Sequence, residues 1–256
     1  MAEQGGQTET RLVLDGEVVR RAEVERGGGA SVPAPPRPDG PLPVVTVATV
    51  GRAWRALVSV VDQQLDGRPR IWALESGAGE RTLFDLPEDA YIVGVGPDAH
   101  VLQRNTRLDE RVISELGDYR PWAAGFDLIT AWYVLENLTD PAAVLDRFAG
   151  WAAQGGLVVV GVPNLRSPRG LWWRLRGRCR LRRALTPEAV RRRFADNRFV
   201  PVLQVYFEDA DQAAARRRMR ITRGRWKALQ LAVRVFSLGL LDAARTDYIA
   251  VFRRDD

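Results

Sequence analysis

Residues 126–164 constrain the fold more than any other part of the chain. Phe126–Trp132 (FDLITAW) reads as a strand, and Leu157–Val162 (LVVVGV) is wholly non-polar and rich in β-branched residues. A strand that is polar on neither face is covered on both, which is the habit of a central strand in a parallel sheet. Between the two lies an amphipathic helix, Asp140–Ala153, with Asp140-Pro141 supplying an N-cap and a first-turn proline. Gln154-Gly155-Gly156 reads as its C-terminal stop. Strand, helix and strand in that order form a crossover unit, and such a crossover makes its two strands parallel.

The alternation extends in both directions. Gly51–Leu65 carries Trp54, Leu57, Val58 and Val61 at helical spacing. Ile71–Glu75 and Tyr91–Val95 read as buried strands, Asp98–Asn105 as a short helix, and Arg111–Glu115 as an edge-side strand. Past Asn164 the chain is basic and irregular through Arg183. Thr186-Pro187-Glu188 then opens a helix, with Thr186 as N-cap and Pro187 at the first helical position, ending near Asn197. Val200–Phe207 reads as a strand, Arg225–Leu238 as a helix and Asp247–Arg253 as the last strand. The fold class is therefore α/β: a Rossmann-like, doubly wound, mainly parallel sheet with helices on both faces. Sheets of this kind bind ligands at the carboxyl ends of their strands.

Residues 44–256 form this domain, with a basic insert at about 165–184 and the C-terminal helix and strand within 225–253. Residues 1–43 read as a flexible extension. Asp15-Gly16 separates two short apolar runs and fits the turn of a short hairpin, while the Gly- and Pro-rich stretch after it reads as a linker.

Composition narrows the chemistry. The single cysteine, Cys179, excludes an internal disulfide, and with one histidine, His100, a Cys- or His-built metal site is not expected. No run approaches the ~18 consecutive apolar residues of a membrane span, and the polar N-terminus lacks a signal-peptide pattern, so the expectation is a cytoplasmic protein. The net charge of +6 is uneven, with arginines crowded in Arg166–Arg193 and Arg216–Arg225. The segment Ser167–Arg183 joins Trp172-Trp173 to Arg174, Arg176, Arg178, Arg180, Arg182 and Arg183. It reads first as a lid over an acceptor, next as a solvated basic loop, and last as a surface for nucleic acid or an anionic membrane.

Several strand ends carry candidate site residues. Glu75-Ser76-Gly77-Ala78-Gly79 forms a glycine-rich turn after the first central strand, a place where backbone can approach a ligand closely. The next strand ends Gly94-Val95-Gly96-Pro97-Asp98; a nucleoside site places its ribose-binding acid at such a strand end. Asp98 reads either as that acid, displaced, or as a helix N-cap. Glu115 ends the edge-side strand, either facing the site or as a surface acid. Tyr133, Glu136 and Asn137 follow the Phe126–Trp132 strand.

Together these segments resemble a class I S-adenosylmethionine-dependent methyltransferase, of the UbiE/UbiG-like, type 11 kind. The resemblance covers about residues 50–207 and the last strand. It is carried by E-x-G-x-G at Glu75, Gly77 and Gly79, by LQRNTRLDERV, and by WYVLENLTDPAAVLDRFAGWAAQGGLVVVGVPNLRSPRGL. It implies that Glu75, Gly77 and Gly79 approach the methionine part of the cofactor, that Gly96 and Asp98 lie at the ribose and Glu115 at the adenine, and that Tyr133, Glu136 and Asn137 line the junction with the acceptor. The chain departs from the family pattern at four places. Arg81 replaces a third glycine, Gly96 the ribose acid, Tyr133 an aspartate and Asn137 a histidine that serves some relatives as a base. Methyl transfer from a sulfonium is an in-line displacement in which the protein chiefly positions donor and acceptor, so losing that histidine leaves the reaction open. The leading expectation is methyl transfer from S-adenosylmethionine to a small-molecule acceptor. A methyltransferase-fold protein without activity, serving as a partner or scaffold, is the second, and a basic module for nucleic acid or anionic lipid the third.

Overall fold

The computed structural model describes residues 11–14, 17–20, 44–48, 50–77, 79–122, 124–164, 167, 186–207, 222, 225, 228, 231–232 and 247–255. The chain divides into two compact units, Met1–Ala34 and Pro35–Asp256. In the first, β1 (Arg11–Leu14) and β2 (Glu17–Arg20) pair antiparallel with Leu14 opposite Glu17.

The second unit is built on one eight-stranded sheet. Its strands are β3 (Val44–Ala48), β4 (Trp72–Ser76), β5 (Tyr91–Gly96), β6 (Glu110–Ile113), β7 (Phe126–Trp132), β8 (Ala152–Pro163), β9 (Phe199–Phe207) and β10 (Asp247–Arg254). The helices are α1 (Val50–Leu65), α2 (Ala99–Arg104), α3 (Pro141–Trp151) and α4 (Pro187–Asp196). The order across the sheet is β3-β9-β10-β8-β7-β4-β5-β6. All pairings are parallel except those that β10 makes with β8 and β9. From β4 the chain steps outward to β5 and β6, then returns to β7 and β8 on the other side of β4. The order thus reverses between β4 and β7, the topological switch point at which such sheets hold ligands.

The non-polar run in β8 is explained by burial on both faces. Val158, Val160 and Val162 join the core cluster that takes in Val144, Leu145 and Phe148 of α3 and Val190 and Phe194 of α4. Leu157 and Val159 are equally buried but lie outside that cluster, as do Leu57 and Val61 of α1, a helix that contacts β9 and β10. In β10, Tyr248, Ala250 and Phe252 belong to the cluster while Ile249 and Val251 do not, the period-two alternation of a strand.

The caps expected at Asp140 and Thr186 are formed: Asp140 accepts from the Ala143 N–H at 3.1 Å and Thr186 from the Ala189 N–H at 3.1 Å. One expected stop is corrected. Gly155-Gly156 does not end α3; the helix closes at Ala152, which is extended (φ −70°, ψ 144°), and both glycines lie inside β8. Phe126 pairs with Ala152 but Leu128 with Leu157, so β8 carries extra residues against β7 at this point. Gly155, at φ +67°, absorbs that bulge, and its carbonyl accepts from Arg68 Nη2 at 2.7 Å. The edge strand β6 covers Glu110–Ile113 rather than Arg111–Glu115. Strand β3, parallel to β9, adds an edge not expected from the sequence. Described positions 225, 228, 231 and 232, within the expected C-terminal helix, are helical. The basic insert expected at 165–184 lies outside the described residues except for Ser167.

Asp127 ties together the starts of the two strands that flank the switch point. Its Oδ2 accepts from the Trp72 N–H at 3.0 Å and its Oδ1 pairs with Arg68. One half-buried carboxylate therefore joins the entry of β7 to the entry of β4.

Candidate active site

A cavity of about 490 Å³ opens at the carboxyl ends of β4, β5, β6 and β7. Ser76 and Gly77 form its floor at the end of β4, and Gly96, Pro97 and Asp98 one side at the end of β5. Glu115 and Leu116 continue it beyond β6, and Val134, Asn137 and Leu138 close it from the segment after β7. Its volume lies within the range of ~300–1,000 Å³ usual for ligand pockets. Among the described residues, no group of three His, Cys, Asp or Glu side chains is placed to hold a metal, and no helix is long and apolar enough to cross a membrane.

The turn after β4 is shaped by packing as much as by any ligand. Gly77 has φ +84°, and a Cβ built there would stand 1.9 Å from the Trp132 carbonyl oxygen. Only glycine lets this turn pass beside the end of β7. At Gly79 an added Cβ would meet nothing within 4 Å, and this residue does not line the cavity; its carbonyl accepts from Asn105 Nδ2 at 3.4 Å. Glu75 is buried and does not line the cavity either. Its carboxylate accepts from the Leu83 N–H at 3.1 and 3.3 Å, so it holds the loop that follows the turn. Burial pushes its pKa up to about 8, against the opposing pull of the Leu83 and Phe84 N–H groups and the Arg107 charge.

At the end of β5, Gly96 lines the cavity where the family pattern has an acid, and Asp98 lines it too. Asp98 is the N-cap of α2: its Oδ1 accepts from the His100 N–H at 2.9 Å and the Val101 N–H at 3.2 Å. The Gly96 carbonyl accepts from the Ser114 N–H at 3.1 Å, which draws the segment carrying Glu115 to the same rim.

The residues after β7 divide between two environments. Asn137 is exposed on the cavity wall, and its Nδ2 donates to the Tyr133 carbonyl at 3.3 Å. Tyr133 points elsewhere: its hydroxyl donates to Asp247 Oδ1 at 3.0 Å, and its ring meets Trp132 edge-on at 5.5 Å. Its backbone is left-handed (φ 51°) and its N–H bonds the Gly161 carbonyl at 2.9 Å. A non-glycine residue in that conformation costs about 1–3 kcal/mol and persists only where its surroundings hold it. Glu136 is buried, and burial, with the Asp247 charge adding to it, pushes its pKa up to about 8. Asp247, only 3% exposed at the start of β10, is not among the residues expected from the sequence. An acid opening an otherwise apolar run, DYIAVF, is the signal that marks it. The structure thus brings Gly77, Gly96, Asp98, Glu115 and Asn137 to one cavity and gathers Tyr133, Glu136 and Asp247 beside it.

The fold and this cavity define a class I methyltransferase architecture: a switch-point pocket with a glycine turn at one strand end and carboxylates on its rim. The family model described as "Methyltransferase domain" matches residues 52–204, more than half of the chain, and the protein belongs to that family. Among solved structures the chain is similar to a "putative sarcosine dimethylglycine methyltransferase" from Galdieria sulphuraria, with TM-score 0.55, 12% identity, and 80% of this chain and 86% of that one covered. It is also similar to a SAM-dependent methyltransferase from Archaeoglobus fulgidus, with TM-score 0.51, 12% identity, and 78% and 94% covered. At such identities these likenesses carry the fold. No curated protein matches the sequence.

The cofactor is S-adenosylmethionine, and the cavity fits it. Val95, Leu102, Leu116 and Leu138 offer apolar surface for a purine, and Asp98 and Glu115 offer acceptors for hydroxyl and amino donors. When bound, the cofactor supplies a sulfonium-activated methyl group.

Proposed function

We propose that this methyltransferase acts on a small-molecule acceptor, in the manner of the UbiE/UbiG-like branch, in the cytoplasm. The observation that carries the reading is the recessed polar group beside the cofactor cavity. Tyr133, bonded to Asp247, and Glu136 sit next to Val134 and Asn137, which line that cavity, and Glu136 and Asp247 are 6% and 3% exposed. A slim acceptor reaches groups set this deep, whereas a folded macromolecule presents its surface too far out. In this reading Gly77, with Glu75 and Gly79 behind it shaping the turn, receives the methionine part of the cofactor. Gly96 and Asp98 meet the ribose and Glu115 the adenine. Tyr133, Glu136 and Asn137 orient the acceptor. No early proton removal is needed from a nucleophile that is already unprotonated, and the site then works by alignment.

The test is to incubate the protein with methyl-labelled S-adenosylmethionine and a cell extract, then separate the products by size. Label in the low-mass fraction is expected. Label confined to protein or nucleic acid would overturn the small-molecule reading.

A further inference from the structure

Gly96 ends β5, where a nucleoside-binding sheet ordinarily presents an acid to the ribose hydroxyls. A Cβ built there meets only the Leu102 side chain, at 3.8–4.0 Å. The missing side chain is therefore not replaced by a neighbour, and room remains on the cavity wall. On the same wall Asp98 commits Oδ1 to two α2 N–H groups, those of His100 and Val101. Turning both oxygens to a ligand would strip α2 of the acceptor that caps it. One oxygen, Oδ2, takes no bond from α2.

We infer that the pocket holds the cofactor ribose by one hydroxyl only, through Asp98 Oδ2, and leaves the other over the open space at Gly96. This rests on the reading of the cavity as the S-adenosylmethionine site and adds a specificity to it. A cofactor with one particular ribose hydroxyl removed, or carrying a small substituent there, binds nearly as well as the parent. A site with a carboxylate at position 96 would hold both hydroxyls and tolerate neither change.

The experiment is calorimetric titration of the full chain with S-adenosylhomocysteine and its 2′-deoxy and 3′-deoxy analogues. One analogue is expected to bind within about threefold of the parent and the other about tenfold more weakly, the scale of a single charged hydrogen bond. Asp98→Asn keeps the helix cap, because asparagine caps as well as aspartate, and is expected to level the two analogues without changing the melting temperature. Gly96→Asp is expected to make both analogues about tenfold weaker than the parent. Tenfold losses with both analogues in the unaltered protein, or with neither, would overturn the inference while leaving the cofactor site standing. A folded protein that fails to bind S-adenosylhomocysteine at all would overturn the cofactor reading and this inference together.

Discussion

Gly77→Ala tests how the turn after β4 is held. Its backbone is at φ +84°, where the left-handed region costs an alanine about 1–2 kcal/mol. Its new Cβ would lie 1.9 Å from the Trp132 carbonyl oxygen, 2.6 Å from Val134 Cγ2 and 2.9 Å from the Trp132 carbonyl carbon. Two of these three atoms are backbone at the end of β7, a strand paired on both sides, so the turn itself must move. Forced overpacking of this kind costs about 1–3 kcal/mol. The sum is about 2–5 kcal/mol, or roughly 5–15 °C in melting temperature for a domain of this size. Moving the turn also moves Ser76 and Gly77 at the cavity floor, so S-adenosylhomocysteine affinity falls with stability. Gly79→Ala is the control, since a Cβ there meets nothing within 4 Å; it should shift the melting temperature by no more than about 2 °C. Thermal denaturation and calorimetric titration of the two variants decide the matter. Equal behaviour of Gly77→Ala and Gly79→Ala would refute the steric reasoning.

Three further outcomes follow from the same geometry. Glu75 and Glu136 both have pKa values raised to about 8 by burial. The folded state keeps protons there that the unfolded chain releases near pH 4.5, so this stability is full below that pH and lost as pH rises toward 8. The unfolding free energy from urea titration should fall between about pH 5.5 and 8, by about 1 kcal/mol per pH unit for each group; Glu75→Gln should flatten the slope, and a wild-type stability that rises instead would contradict the assignment. Asp127→Ala removes the Arg68 pair and the acceptor for the Trp72 N–H, with an expected loss of about 2–3 kcal/mol in chemical denaturation. Gly96→Asp, sterically open beside Leu102, should tighten S-adenosylmethionine binding about tenfold by restoring the ribose carboxylate, as measured by titration.

Much of the fold was legible because hydrophobic pattern and caps agreed. The non-polar run of β8, the period-two alternation of β10 and the caps at Asp140 and Thr186 each pointed to the element that forms. The Gly155-Gly156 pair misled because a glycine at positive φ serves a helix stop and a strand bulge equally well; pairing with β7, a long-range fact, decides between them. The cavity side of the site was legible at Gly77, Gly96, Asp98, Glu115 and Asn137, all at or a few residues beyond the carboxyl ends of strands. The roles of Glu75 and Tyr133 were not. Glu75 turns to the Leu83 N–H and Tyr133 to Asp247, a residue 114 positions away in the chain. Local sequence cannot place such a partner, since only the antiparallel insertion of β10 beside β8 brings Asp247 there.

The central claim is that the switch-point cavity still binds S-adenosylmethionine although Gly96 stands where the ribose acid is expected. Calorimetric titration of the folded protein with S-adenosylmethionine and S-adenosylhomocysteine tests it most directly. The account predicts saturable one-to-one binding to both, weakened by Gly77→Ala and strengthened by Gly96→Asp. Absence of heat with a folded sample at high-micromolar cofactor, unchanged by Gly96→Asp, would contradict it.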